Sequence, residues 1–305
     1  MKLVVLPKSV QLETILNTAA LTKHYGPITA VNGIDLHVER GSVYGILGPN
    51  GSGKTTTLGM LLGAIHPSSG SFSWFGKGTG DENRKRIGAI LEHPIFYPYL
   101  SGAQNLRITA RIKGVPEKDV DRVLQIVELS ARKNSPAATY SLGMKQRMAI
   151  AAALLGDPEV LVLDEPTNGL DPQGIAEIRG LIREVAASGK TILIASHLLD
   201  EVEKVCTHVA VIKNGNLLAQ GHVNEILGDE QLLEIASADP AGLKLQLEQL
   251  HCSVRSDESG LFLVGLPEGM DASSLNKKLV ESGQAIHHLR VRKKKLEESF
   301  LEITA

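Results

Sequence analysis

Gly48-Pro49-Asn50-Gly51-Ser52-Gly53-Lys54-Thr55 carries the clearest chemistry in the chain. It matches G-x-x-x-x-G-K-[ST] without exception. Glycines at this spacing let the backbone turn sharply and aim several N–H groups into one concavity. A helix starting there adds its positive end. The result is a receptor for phosphate. Lys54 is placed to reach the β- and γ-phosphates of a nucleotide and Thr55 to offer a hydroxyl to Mg²⁺, and Thr56 belongs to the same site. A second run, Val160-Leu161-Val162-Leu163-Asp164-Glu165, sets two carboxylates at the end of an apolar strand. In open α/β sheets ligands bind at that end. Asp164 is suited to hold Mg²⁺, directly or through water, and Glu165 to polarise an attacking water.

These residues need particular elements around them. Ser42–Leu47 reads as a buried strand entering the glycine-rich turn, and Lys54–Ile65 as the helix leaving it. Ile15–Arg40 alternates with a period of two, as half-buried antiparallel strands do. Ser71–Phe75 and Arg86–Leu91 are further strands, and Pro94–Leu155 is mostly helical in pattern. Ile175–Ser188 is a helix, Thr191–Ala195 a buried strand, and Asn214-Gly215 the turn of a hairpin. Apolar strands alternating with helices imply a mostly parallel sheet covered by helices. After Gly228 the texture restarts. Leu232–Ala236, Pro240–Leu250, Cys252–Arg255, Leu261–Gly265, Asp271–Glu281 and Ala285–Val291 follow a β-α-β-β-α-β order, ferredoxin-like, with a last helix at Leu296–Ile303.

Tyr140-Ser141-Leu142-Gly143-Met144-Lys145-Gln146-Arg147 precedes the Asp164 strand and resembles the signature motif of the ATP-binding-cassette ATPases. Asp164-Glu165-Pro166-Thr167-Asn168-Gly169-Leu170-Asp171 resembles that family's second nucleotide motif and D-loop, and Ser196-His197 its switch histidine. The resemblance covers Ile15 to Ile226. It implies an α/β P-loop ATPase with an antiparallel β subdomain and a helical subdomain, here followed by a small α+β domain. The boundaries expected are an extension at 1–14, the ATPase at 15–228 and the accessory domain at 229–305.

The resemblance further implies ATP and Mg²⁺ as cofactors. It makes Tyr25 an aromatic that stacks on adenine, and His197 a contact to the γ-phosphate. Two chains would pair head to tail, so that Ser141 and Gly143 of one meet the γ-phosphate held by the other. A helix starting near Ser141 would offer a hydroxyl and free N–H groups there. The motif set permits two competent sites in a homodimer.

Some positions depart from the family. Tyr140, Leu142 and Met144 stand where Leu, Gly and Gln are usual, and Glu92 stands where a Gln usually reports on metal and water. Glu92 remains a metal-site residue on this reading. The glutamate, and the tail Leu296–Ile303, resemble ATPase subunits of bacterial exporters of the bacitracin and lantibiotic type. Ile95–Leu106 would then help form the docking groove for a separate multi-span membrane subunit, with Phe96, Tyr97 and Tyr99 as contacts or else as helical core. The chain would sit peripherally on the cytoplasmic face of the membrane.

Composition sets the remaining bounds. Lys+Arg is 32 against Asp+Glu 34, a net charge of −2, so a basic surface for nucleic acid is not expected. This weighs against one alternative, a soluble ATPase working on ribosomes or DNA; the other, a membrane-associated sensor that uses the cassette for signalling, stays open. Cys206 and Cys252 make no disulfide framework. No apolar run nears the roughly 18 residues of a membrane span, so the span would belong to another chain. Met1–Leu6 is too short an apolar stretch for a secretory leader. Arg290, Arg292, Lys293, Lys294 and Lys295 read as a solvated strand edge that discourages pairing, or as a lipid contact.

Overall fold

Two sheets take up the apolar runs before His222. In the computed structural model the residues described are 13–76, 80–91, 95–227, 231–256, 260–267, 269–293 and 296–304. The stretch 1–12, Glu92, Lys294, Lys295 and the expected boundary at 228 lie outside them. The chain divides into two compact units, one reaching to His222 and one running from Val223 to Ile303.

In the first unit, the long strand Thr14–Tyr25 pairs antiparallel with Ile28–Ile34, His37–Glu39 and Ser69–Trp74. The second sheet has six strands, in the order Asn216–His222, His208–Lys213, Val43–Leu47, Thr191–Ser196, Val160–Asp164 and Ile87–Ile90. The last five run parallel, and Asn216–His222 adds an antiparallel edge through the Asn214-Gly215 hairpin. Val43–Leu47, Val160–Asp164 and Thr191–Ser196 are buried at every position, which explains their continuous apolar text. Ile46, Leu58, Val160, Val162 and Leu193 share one core with Ile15, Leu21 and Trp74. The helical region holds Gly102–Lys113, Asp119–Ile126 and Leu142–Leu154. The first of these opens on a capping box, Ser101 with Gln104.

Several boundaries differ from the sequence reading. The helix after the phosphate loop is Lys54–Leu61 and stops at a turn through Gly63, short of Ile65. The helix expected from Ile175 begins at Pro172, because Asp171 caps it by accepting from the Gly174 N–H at 2.8 Å. Three short helices, Asp81–Lys85, Leu199–Val205 and Val223–Leu227, have no counterpart in the sequence reading. They offer too few turns for a periodic pattern to show.

The second unit contains Gln231–Ser237, Pro240–Gln249, Ser253–Ser256, Phe262–Gly265, Ala272–Glu281, Ile286–Lys293 and Leu296–Thr304. Its four strands, named by first residue, are ordered 253, 262, 231, 286, with all neighbours antiparallel. The two β-α-β halves thus interleave as in a split unit. Leu233, Ile235, Phe262 and Val264 on the sheet pack with Leu243, Leu247, Leu275 and Leu279 of the two helices. Ile286–Lys293 is an edge strand. Its Arg292 is engaged within the unit, lying 3.6 Å from Glu234 and paired with Glu298.

Candidate active site

Three parallel strands end side by side, at Leu47, Asp164 and Ser196, and each delivers a functional loop. The glycine-rich turn leaves the first. Gly53 there has φ +105°, and a Cβ on it would stand 2.4 Å from the Ala30 carbonyl oxygen, so no larger residue fits. A Cβ at Gly48 would meet the Ile212 carbonyl oxygen at 2.2 Å. The turn lines a cavity of about 220 Å³ with Ala30, Asn50, Gly51, Ser52, Lys54, Thr55, Thr56 and Glu165. Pro49 and Asn50 are exposed.

The side chains converge on that cavity. Lys54 is only 6% exposed, and its ammonium donates to the carbonyl oxygens of Gly48 at 2.8 Å and Pro49 at 3.2 Å. It lies 3.5 Å from a Glu165 carboxylate oxygen. The other Glu165 oxygen is 2.8 Å from His197 Nδ1 and accepts from the His197 backbone N–H at 3.4 Å. The Thr55 hydroxyl donates to Asp164 at 2.7 Å. Glu165 itself has φ +46°, a left-handed conformation that costs a side-chain-bearing residue energy. Its N–H donates to the Ala195 carbonyl at 2.9 Å and its own carbonyl accepts from Asn168 at 3.1 Å, which hold it there.

The groups present fit a magnesium nucleotide. Ser52 Oγ is buried with no hydrogen-bond partner among the described residues. It is a donor waiting at a phosphate loop. Asp164 and Thr55 supply hard oxygens, and no group of three or more His, Cys, Asp or Glu among the described residues forms a metal cage. A carboxylate, a hydroxyl and substrate phosphates are the usual ligands of Mg²⁺.

Other expected residues lie elsewhere. Ser141 caps helix Leu142–Leu154, which starts beside it as the sequence implied, and accepts from the Met144 N–H at 3.2 Å. With Leu142, Gly143, Gly169, Asp171 and Glu177 it lines a separate cavity of about 340 Å³, which shares no residue with the phosphate cavity. Leu142 is half exposed there. Tyr140 is instead core, its hydroxyl donating to the Arg132 carbonyl at 2.8 Å. Tyr25 is an exposed ring at a hairpin tip, outside both cavities' linings. Tyr97 and Tyr99 are exposed, not core, and Phe96 is half-buried. Sequence reasoning missed Asp171 as a cap beside the signature, although Asp before Pro is the usual signal. It also missed the ion pair Arg179–Glu201 at 3.0 Å, which ties helix Pro172–Ala187 to the helix following His197.

A family model described as ABC transporter matches residues 31–168. A bacitracin transport ATP-binding protein of Bacillus licheniformis is 40% identical, over 96% of this chain and 98% of its own length. Nod factor export ATP-binding protein I of Ralstonia nicotianae is 35% identical, over 95% and 94%. A lantibiotic transport ATP-binding protein of Streptococcus pyogenes is 38% identical, over 70% and 93%. Among solved structures, a part of the cbiONQ ABC transporter complex from Clostridium perfringens superposes with a TM-score of 0.66 at 35% identity, covering 71% of this chain and 92% of that one. Identity of this extent, on a fold whose strand ends gather the phosphate loop, Asp164 and Glu165, identifies the chain as a member of the ABC transporter family and an ATPase subunit.

Proposed function

We propose that the chain energises an exporter. It binds and hydrolyses MgATP in a head-to-tail dimer and drives export of a peptide antibiotic or similar amphiphile through a separate multi-span membrane subunit. The observation that carries this is the extent of the match. Relatives named for bacitracin transport and Nod factor export match nearly the whole chain, whereas the cbiONQ cassette covers 71% of it.

Gly48–Thr56 and Lys54 bind the phosphates, and Tyr25 stacks on adenine. Thr55 and Asp164 hold Mg²⁺, which when bound neutralises phosphate charge. Glu165 polarises the attacking water once His197 turns from it towards the γ-phosphate. Ser141 and Gly143 serve the site of a second, identical chain. The separation of the signature cavity from the phosphate cavity within one chain supports that reading. Among the described residues no helix is long and apolar enough to cross a membrane, which supports a peripheral subunit at the cytoplasmic face with exposed Tyr97 and Tyr99 towards its partner. Nucleic acid has no role. Residues 229–305 form an accessory domain that nucleotide binding does not need. Glu92 joins the metal site, and ATPase curves against Mg²⁺ that superimpose for the native chain and Glu92→Gln would remove it from that role.

The exporter reading is tested by pulling the tagged full chain from detergent-solubilised membranes of its source cells. A multi-span membrane protein is the expected companion. Recovery of ribosomes or DNA without one would overturn the exporter role.

A further inference from the structure

Lys23 stands behind Tyr25. The two side chains share a strand face, two residues apart, and the Lys23 ammonium lies 5.1 Å from the Tyr25 ring centroid. The ammonium also donates to the His66 carbonyl oxygen at 2.8 Å, so it is fixed at both ends of its reach. The hairpin is tied again beside it, with the His24 N–H donating to Ser68 Oγ at 2.9 Å and the Ser68 N–H to the Thr22 carbonyl at 2.8 Å. Tyr25 pairs with Ile28 across the turn, and the two are 47% and 65% exposed. Neither residue lines the phosphate cavity; the strand leaving Ile28 reaches it two residues on, at Ala30. The pairing skips Ala30, which bulges out, lines that cavity and bars a Cβ at Gly53 with its carbonyl.

We propose that Lys23 is a positioning residue for the nucleotide base: it closes one face of the Tyr25 ring and holds it, leaving the other face and Ile28 as a fixed platform for a purine. The proposal rests on the reading that Tyr25 stacks on adenine. A ring already held loses little freedom when a base lands on it. A cation over an exposed aromatic face is a modest interaction, worth about two- to fivefold in affinity.

The test is titration of the full chain and of Lys23→Ala and Lys23→Arg with ATP and, separately, with inorganic tripolyphosphate, which has no base. Lys23→Ala is expected to weaken ATP about two- to fivefold and leave tripolyphosphate unchanged, with Lys23→Arg close to native for both. Unchanged ATP affinity in Lys23→Ala would overturn the proposal. So would a parallel loss of both ligands, which would mean a general charge or folding effect. Equal affinity of the native chain for ATP and tripolyphosphate would overturn the Tyr25 platform itself.

Discussion

The two ends of the parallel sheet are built from the same strands and differ in how completely they satisfy themselves. At the amino ends, Arg40 bridges Glu13 at 2.9 Å and Glu159 at 2.7 Å, and Arg86 reaches Glu159 at 2.5 Å while lying 3.6 Å over the Phe75 ring. Further hydrogen bonds run between them, Thr191 N–H to the Glu159 carbonyl at 3.0 Å and Gly41 N–H to the Thr191 side-chain hydroxyl at 2.8 Å. At the carboxyl ends, Ser52 Oγ has no partner among the described residues, and Glu165 sits at positive φ. The Lys54 ammonium there is held by carbonyls of its own loop. One end contributes stability. The other keeps strained and under-satisfied groups, which a ligand can relieve.

If that division is right, substitutions at the two ends separate activity from stability. Glu165→Gln has the largest expected effect, a fall in turnover of about 10²–10⁴-fold with ATP still bound, since only the polarising carboxylate is lost. Single-turnover ATPase assays read it, and brisk hydrolysis would remove Glu165 from catalysis. The same variant should elute as a dimer with ATP and a monomer with ADP on a sizing column. Gly53→Ala comes next. The added Cβ meets the Ala30 carbonyl at 2.4 Å, so the loop must shift, and nucleotide affinity should fall about 10- to 100-fold by titration. A Gly53→Ala chain binding ATP normally would show the loop to be pliable.

The amino end should give the smallest and opposite pattern. Glu159→Gln should lower stability by about 1 kcal/mol, a figure reduced for solvent screening of a half-exposed carboxylate, with ATPase activity unchanged. Thermal unfolding should register it as about 2–4 °C. Hydrogen bonds from Arg86 and then Arg40 hold the Glu159 carboxyl down, from 4.5 to about 2. A depressed carboxyl stabilises the fold fully above its unfolded value and loses that contribution as pH falls through its folded value. The native chain should therefore lose its advantage over Glu159→Gln between pH 4.5 and about 2. Unfolding curves that stay a constant distance apart through that window would show that the ion pairs do not carry the stability.

How much of this was legible follows from which residues depend on near neighbours. Gly48–Thr55 is a local device, since the turn, the N–H groups and the lysine lie within one short segment, so the turn and the helix that leaves it were legible in sequence alone. The strand ending on Asp164-Glu165 was legible for the same reason, its burial written as an unbroken apolar run. The second unit's element order was readable because each strand and helix carries its own period. Tertiary structure alone decided that Glu13, Arg40, Arg86 and Glu159 meet, since no periodicity connects residues so far apart in the chain. It also decided that Glu165 lies between Lys54 and His197, which requires three strand ends in one register. Local propensity reports what a segment can form, but only pairing and packing across the sheet decide which charges end up within reach of one another.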